Sequence, residues 1–154
     1  MKVYQTSDIR NIALVGGAKS GKTTMAEAMA FCGGLINRRG TVEGKNTISD
    51  YRDIELDRKY SVENTLMYTE FGGKKINILD VPGFADFQGE LVSAFNVVEA
   101  AVVVVNAQSG VEVGTEIANR YSDKLGTPMI FVPPNSVNMR EVSTLYLRSS
   151  SMSR

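Results

Sequence analysis

Histidine is absent from the 154 residues, and cysteine occurs once, at Cys32. A single thiol rules out an internal disulfide framework and suits a reducing compartment. Excess charge of either sign is missing too, with Lys+Arg and Asp+Glu at 17 each. No overall field draws the chain to nucleic acid or to an anionic membrane, and no direct DNA binding is expected. No apolar run reaches the ~18 residues of a membrane span. The first residues, Met1-Lys2-Val3-Tyr4-Gln5-Thr6, lack a secretory apolar core. The expectation is a cytoplasmic protein with no membrane partner.

What is present is concentrated in one stretch. Gly16-Gly17-Ala18-Lys19-Ser20-Gly21-Lys22-Thr23 fits the phosphate-binding pattern G-x-x-x-x-G-K-[ST] (Walker A). Glycines let successive backbone N–H groups turn inward around an anion. Lys22 brings a point charge to the outer phosphates, and the Thr23 hydroxyl can ligate Mg²⁺. The apolar run Ile12-Ala13-Leu14-Val15 leads in as a buried strand. Thr24-Met25-Ala26-Glu27-Ala28-Met29-Ala30 leads out as a helix, whose N-terminus favours anions. Gly16, Gly17, Ala18, Lys19, Ser20, Gly21, Lys22, Thr23 and Thr24 are the candidate nucleotide-binding residues.

The length suits one domain with a single core. A first strand is expected at about 10–16 and a first helix at about 22–32, ending at Gly33-Gly34. Cys32 closes that apolar helix and reads as a packing residue rather than a nucleophile. Residues 37–62 are polar, without sustained period, and a loop of that length is usually functional or mobile. Residues 64–71 and 74–81 flank Gly72-Gly73, which suits a hairpin turn with positive φ. A helix follows at about 86–98, with Leu91, Val92, Phe95 and Val98 on one face. A buried parallel strand is expected at 101–105. The next helix, 112–125, places Ile117, Tyr121 and Leu125 on one face and stops at Gly126. A short strand at 129–132 ends the pattern. Strands alternating with helices imply βαβ units and a three-layer, Rossmann-like α/β fold. Its sheet should be mostly parallel, with one antiparallel edge hairpin and ligands at the strands' carboxyl ends. Residues 1–132 form the expected domain. Pro133-Pro134 breaks the pattern, and the following 20 residues hold six serines. Segment 133–154 is expected to be an atypical, disordered or weakly docked tail.

A phosphate loop alone does not separate ATPases, kinases and GTPases. Asp80-x-x-Gly83 at a strand end narrows the choice: the carboxylate can hold the Mg²⁺ shell, and the glycine N–H can sense a γ-phosphate. Three segments now stand in order. They are Ile9-Arg10-Asn11-Ile12-Ala13-Leu14-Val15-Gly16 with the phosphate loop, Asp80-Val81-Pro82-Gly83-Phe84-Ala85-Asp86-Phe87, and Ser109-Gly110-Val111-Glu112-Val113-Gly114-Thr115-Glu116. Together they resemble the GTP-binding domain of elongation factor G, and most closely its divergent paralogues, over roughly residues 9–132. The resemblance implies a P-loop NTPase domain of a translational GTPase that binds GTP or GDP with Mg²⁺ and meets the ribosome. It implies that 37–62 is switch I, with Ser61 where the family carries a Mg²⁺-binding threonine, and that Asp80 and Gly83 begin switch II. Thr23, Asp80 and Ser61 are thus the candidate metal ligands. The family's last helix and its Ser-Ala-Lys loop are missing, so a truncated, rearranged or frame-disrupted end is expected.

Three departures bear on mechanism. The translocases carry a water-positioning histidine after Asp-x-x-Gly, where this chain has Phe84. A phenyl ring cannot hydrogen-bond water strongly, so a factor of roughly 10²–10⁴ in rate should be lost, unless another residue or the ribosome replaces it. Lys19 stands where ribosomal relatives often have aspartate. Its ammonium either replaces a monovalent cation near the phosphates or points into solvent. The base-reading Asn-Lys-x-Asp is reduced to Asn135-Ser136-Val137-Asn138, a degraded motif with Asn135 and Asn138 as weak base contacts, or else plain linker. No residue is singled out as chemically catalytic; Lys22 supplies charge and Gly83 senses the γ-phosphate. The leading function is a guanine-nucleotide-binding domain that hydrolyses GTP slowly or only with the ribosome. The alternatives are a non-hydrolysing nucleotide- or ribosome-binding module and an unrelated P-loop ATPase.

Overall fold

Apolar residues alternate between two faces along Ile9–Val15 (β1), and this alternation sets the layering. Ala13 and Val15 point into one core, and Leu14 points into the other with Ile12 packed against it. The computed structural model describes residues 3–49, 52–58, 60–84, 86, 88–106 and 108–133. After a short 3-10 turn at Thr6–Asp8, β1 leads through the phosphate loop into Lys22–Cys32 (α1). Asp53–Arg58 (α2) follows, then the hairpin Thr65–Phe71 (β2) and Lys74–Asp80 (β3). Gln88–Phe95 (α3), Ala100–Val104 (β4), Val113–Leu125 (α4) and Met129–Val132 (β5) complete the described elements.

The sheet order is β2-β3-β1-β4-β5. β3, β1, β4 and β5 run parallel, and β2 is the antiparallel edge. Gly72 and Gly73 have φ of 56° and 78°, so both central residues of the hairpin adopt the left-handed conformation expected of this turn. Helix α1 covers one face through Ala26 and Ala30 against Leu14, Met67 and Ile78. Helices α3 and α4 cover the other through Leu91, Ala94, Phe95, Ile117 and Ala118 against Ala13, Val15, Ala101 and Val103. The expected three-layer, mostly parallel sheet with its edge hairpin is therefore observed.

Four expectations need correction. Cys32 is exposed at the end of α1 and does not pack into the core. The helix turns it away, while Ala26 and Ala30 at i, i+4 spacing carry the buried stripe. The helix expected at about 86–98 ends at Phe95, and Val98 packs on the core from beyond that end. In α4 the row Ile117, Tyr121, Leu125 loses its last member, because Leu125 is the final residue of the helix and is exposed. Residues 37–62 are not uniformly loop, since α2 lies within them.

Candidate functional site

The end of β1 turns sharply because Gly16 lies against the Val104 carbonyl with φ of 137°, leaving no room for a Cβ. The loop then folds back through Lys19, one of two non-glycine residues with positive φ among those described (58°), and Gly21 (97°). Gly21 is the N-cap of α1 and brings no side-chain hydrogen bond to the helix's first amides. The helix dipole adds a positive field at that end. The Lys22 side chain curls over the loop, its Nζ donating to the carbonyls of Gly17 (2.6 Å) and Gly16 (3.3 Å).

Parallel pairing of β1 with β3 sets Leu14 opposite Asp80 and delivers that carboxylate beneath the loop. Asp80 is fully buried, and its Oδ2 accepts a hydrogen bond of 2.8 Å from the Thr23 hydroxyl. Three residues on, Gly83 is pressed against the Lys22 ammonium, the Gly17 carbonyl and the Ala18 amide, so that a Cβ would collide with the loop. Gly114, at the start of α4, backs Gly16 and Gly17 just as closely, and the Glu112 side chain lies over Gly17. The loop is thus held from both sides.

A cleft of about 410 Å³ opens in front of it. Ala18, Lys19, Gly21, Lys22, Thr23 and Thr24 form one wall, with Gly83 and Phe84 beside them. Val42, Glu43, Tyr60 and Ser61 form the other. Gly16, Gly17, Ser20 and Asp80 sit behind the cleft rather than lining it. Ser61, the sequence candidate for a metal ligand, does reach the same cleft as Thr23. Asn135 and Asn138 lie outside the described residues.

Sequence reasoning missed how the second wall is attached. Glu27, on the buried side of α1, accepts hydrogen bonds from the backbone amides of Gly40 (2.8 Å) and Ile48. Between those amides the chain is cross-braced: Thr41 N donates to Asn46 Oδ1 and Gly44 N to Thr41 Oγ1. Glu55 of α2 accepts from Arg52 N (3.3 Å) and Val62 N (3.1 Å), beside Ser61. Both glutamates are 1% exposed. A charged residue in an otherwise alanine- and methionine-rich helix was the only available signal for Glu27, since buried carboxylates are rare unless they are paired.

A chain-wide comparison gives this geometry a lineage. Residues 7–135 match the family described as the elongation factor Tu GTP binding domain. Peptide chain release factor 3 of Lactobacillus helveticus is 37% identical over 124 residues, which cover 78% of this chain and 24% of that protein. The mitochondrial ribosome-releasing factor 2 of Candida dubliniensis is 34% identical over 126 residues, covering 82% of this chain and 16% of that protein. The chain thus spans about a quarter or less of the length of these relatives. A crystal structure of a Thermus thermophilus protein superposes with a TM-score of 0.80 at 37% identity, covering 94% of this chain and 22% of that one. Translation elongation factor SelB of Methanococcus maripaludis, solved with the GTP analogue GPPNHP, shares the fold at a TM-score of 0.62 and 19% identity, over 93% of this chain and 26% of that one. The resemblance to the G domain of elongation factor G-like translational GTPases holds, and the chain belongs to the elongation factor Tu GTP-binding domain family.

Proposed function

We propose that this chain binds GTP and GDP with Mg²⁺ in the cleft between the phosphate loop and residues 42–61, as the nucleotide domain of a cytoplasmic translation factor. The observation that carries the reading is the corner made by Gly21, Lys22 and Gly83. There a helix N-terminus without a side-chain cap, a lysine ammonium and a glycine with no room for a Cβ face one opening. Amides and one ammonium supply the positive field that a polyphosphate needs.

The donor set also suits Mg²⁺, a hard cation that prefers oxygen. Thr23 and Asp80 already face each other at 2.8 Å, and Ser61 borders the same cleft. When bound, the ion would neutralise charge on the β- and γ-phosphates. The chain's own part is positional. Lys22 leaves the carbonyls of Gly16 and Gly17 for phosphate oxygens, α1 offers its first amides, and Gly83 brings its N–H to the γ-phosphate. In hydrolysis water adds to the γ-phosphorus as the bridging oxygen leaves, giving GDP, phosphate and a proton.

Phe84, which lines the cleft, offers nothing to orient that water. It favours a second reading, a nucleotide- or ribosome-binding module that does not hydrolyse. The ribosome enters through the named relatives, a release factor and a ribosome-releasing factor. Titration of the purified chain with GDP, GTP and ATP, with and without Mg²⁺, tests the reading. The expected result is guanine-nucleotide binding strengthened by Mg²⁺, and a folded chain that binds none of them overturns it. Phosphate release with and without ribosomes separates the two readings. Phe84→His should raise the intrinsic rate, with about 10²-fold as the lower end of what a positioned base contributes.

A further inference from the structure

The two walls of the cleft meet at one point the nucleotide reading does not use. The rings of Tyr60 and Phe84 have centroids 4.4 Å apart and planes inclined at 54°. Each sits beside a residue the nucleotide reading does use: Tyr60 precedes Ser61, and Phe84 follows Gly83. All four line the same cleft. Such tilted aromatic contacts are attractive beyond the area they bury, because ring edges are positive and ring faces negative.

The elements carrying the two rings are independently tied together. Asn64 donates from its backbone N to Glu90 Oε2 (3.0 Å) and from Nδ2 to the Glu90 carbonyl (2.7 Å), which joins the start of β2 to α3. Glu55 holds the Val62 amide, two residues from Tyr60. Thr65 Oγ1 donates to the Ser49 carbonyl (2.9 Å), closing the base of the segment that carries Tyr60. The Asn64–Glu90 bonds thus keep the two ring-bearing segments near each other, and partial preorganisation of this kind lowers the cost of bringing the rings together.

We propose that Tyr60 and Phe84 are a positioning pair, an aromatic clasp that closes the cleft over a bound nucleoside di- or triphosphate and slows its release. The proposal rests on the nucleotide reading above and adds a rate to it. Phe84, whose ring cannot orient water, gains a role in retention. Nucleotide leaves only when the rings part, and the Ser61 side of the cleft swings away with Tyr60.

The test is stopped-flow release of a fluorescent GDP analogue from the full chain and from Tyr60→Ala, Phe84→Ala and the double variant. Each single substitution should speed release about 3- to 10-fold, the range that one aromatic contact supports. The double variant should be no faster than the faster single, because either change alone opens the clasp. Tyr60→Phe keeps the ring and should release more slowly than Tyr60→Ala. Tyr60→Leu and Phe84→Leu keep apolar bulk without the ring pair and should still release faster, which holds the test open if an alanine variant fails to fold. Unchanged release in the single variants, or effects that multiply in the double variant, overturn the clasp while nucleotide binding stands. Failure of the wild-type chain to bind GDP or GTP overturns the nucleotide reading itself.

Discussion

The two walls of the cleft are built by different means. The phosphate-loop wall is backbone against backbone: Gly16 on the Val104 carbonyl, Gly83 on Gly17 and Ala18, and Gly114 on Gly16 and Gly17. It hangs from three central strands whose registers leave no slack. The opposite wall, residues 40–62, joins the sheet through no strand of its own among the described residues. It is hung on the buried carboxylate of Glu27 in α1 and braced from within by that of Glu55. A wall made by steric exclusion has one position. A wall hung on a few hydrogen bonds can detach without unfolding the sheet, because local openings cost much less than global unfolding.

The sharpest test of this contrast acts on the rigid wall. Lys22→Ala should raise the dissociation constants for GDP and GTP by about 10²–10⁴-fold, given 1.5–3 kcal/mol for each hydrogen bond from a charged group. The melting temperature should fall only modestly, since the lysine's bonds to the Gly16 and Gly17 carbonyls behind the cleft are two among the many close contacts that hold the loop. Calorimetric titration beside a thermal melt reads both quantities. A large loss of stability would mean that Lys22 holds the loop together instead of waiting for a ligand.

Glu27→Ala should act on the hung wall in the opposite sense. Two backbone amides lose their carboxylate, at a cost of about 1.5–3 kcal/mol in stability. Hydrogen exchange should quicken first at Gly40 and Ile48, before any strand amide. Equal acceleration in β1 and β3 would show that the two walls open as one unit and would break the comparison.

Thr23→Val probes the seam between the walls. Loss of one hydroxyl should remove about tenfold of the Mg²⁺-dependent part of GDP affinity, on the order of one ordinary hydrogen bond. Affinity measured without Mg²⁺ should barely change, and parallel titrations with and without the ion check this. Lys19→Gly should have the smallest effect, a gain in stability of no more than about 1 kcal/mol from relief of a left-handed residue. A chemical denaturation midpoint measures it. Loss of nucleotide affinity in the same variant would instead assign the ammonium to the phosphates.

Much of the rigid wall is legible in the amino-acid order. Residues 9–32 read directly as strand, loop and helix, because alternation, glycine placement and helix propensity all act over a few neighbouring residues. Gly72-Gly73 announces the hairpin for the same reason. The hung wall is not legible. Glu27 finds Gly40 and Ile48 at separations of 13 and 21 residues, and no local period records such a pairing. Helix α2, six residues long, is too short for periodicity to show. Cys32 illustrates the same limit: an apolar helix end does not say which side of the last turn meets the sheet.

By itself, then, the chain's sequence determined the order of elements, the phosphate loop with Lys22 and Thr23, the Asp80 and Gly83 pair, and the absence of a histidine after it. These are short-range properties, written in neighbouring side chains and in backbone freedom. Only the tertiary structure decided that Glu27 ties the facing wall to α1, that Glu55 braces that wall from within, and that Tyr60 meets Phe84 across the opening. Those depend on strand register and on which face of α1 is buried, and both are set by packing between residues far apart in the chain.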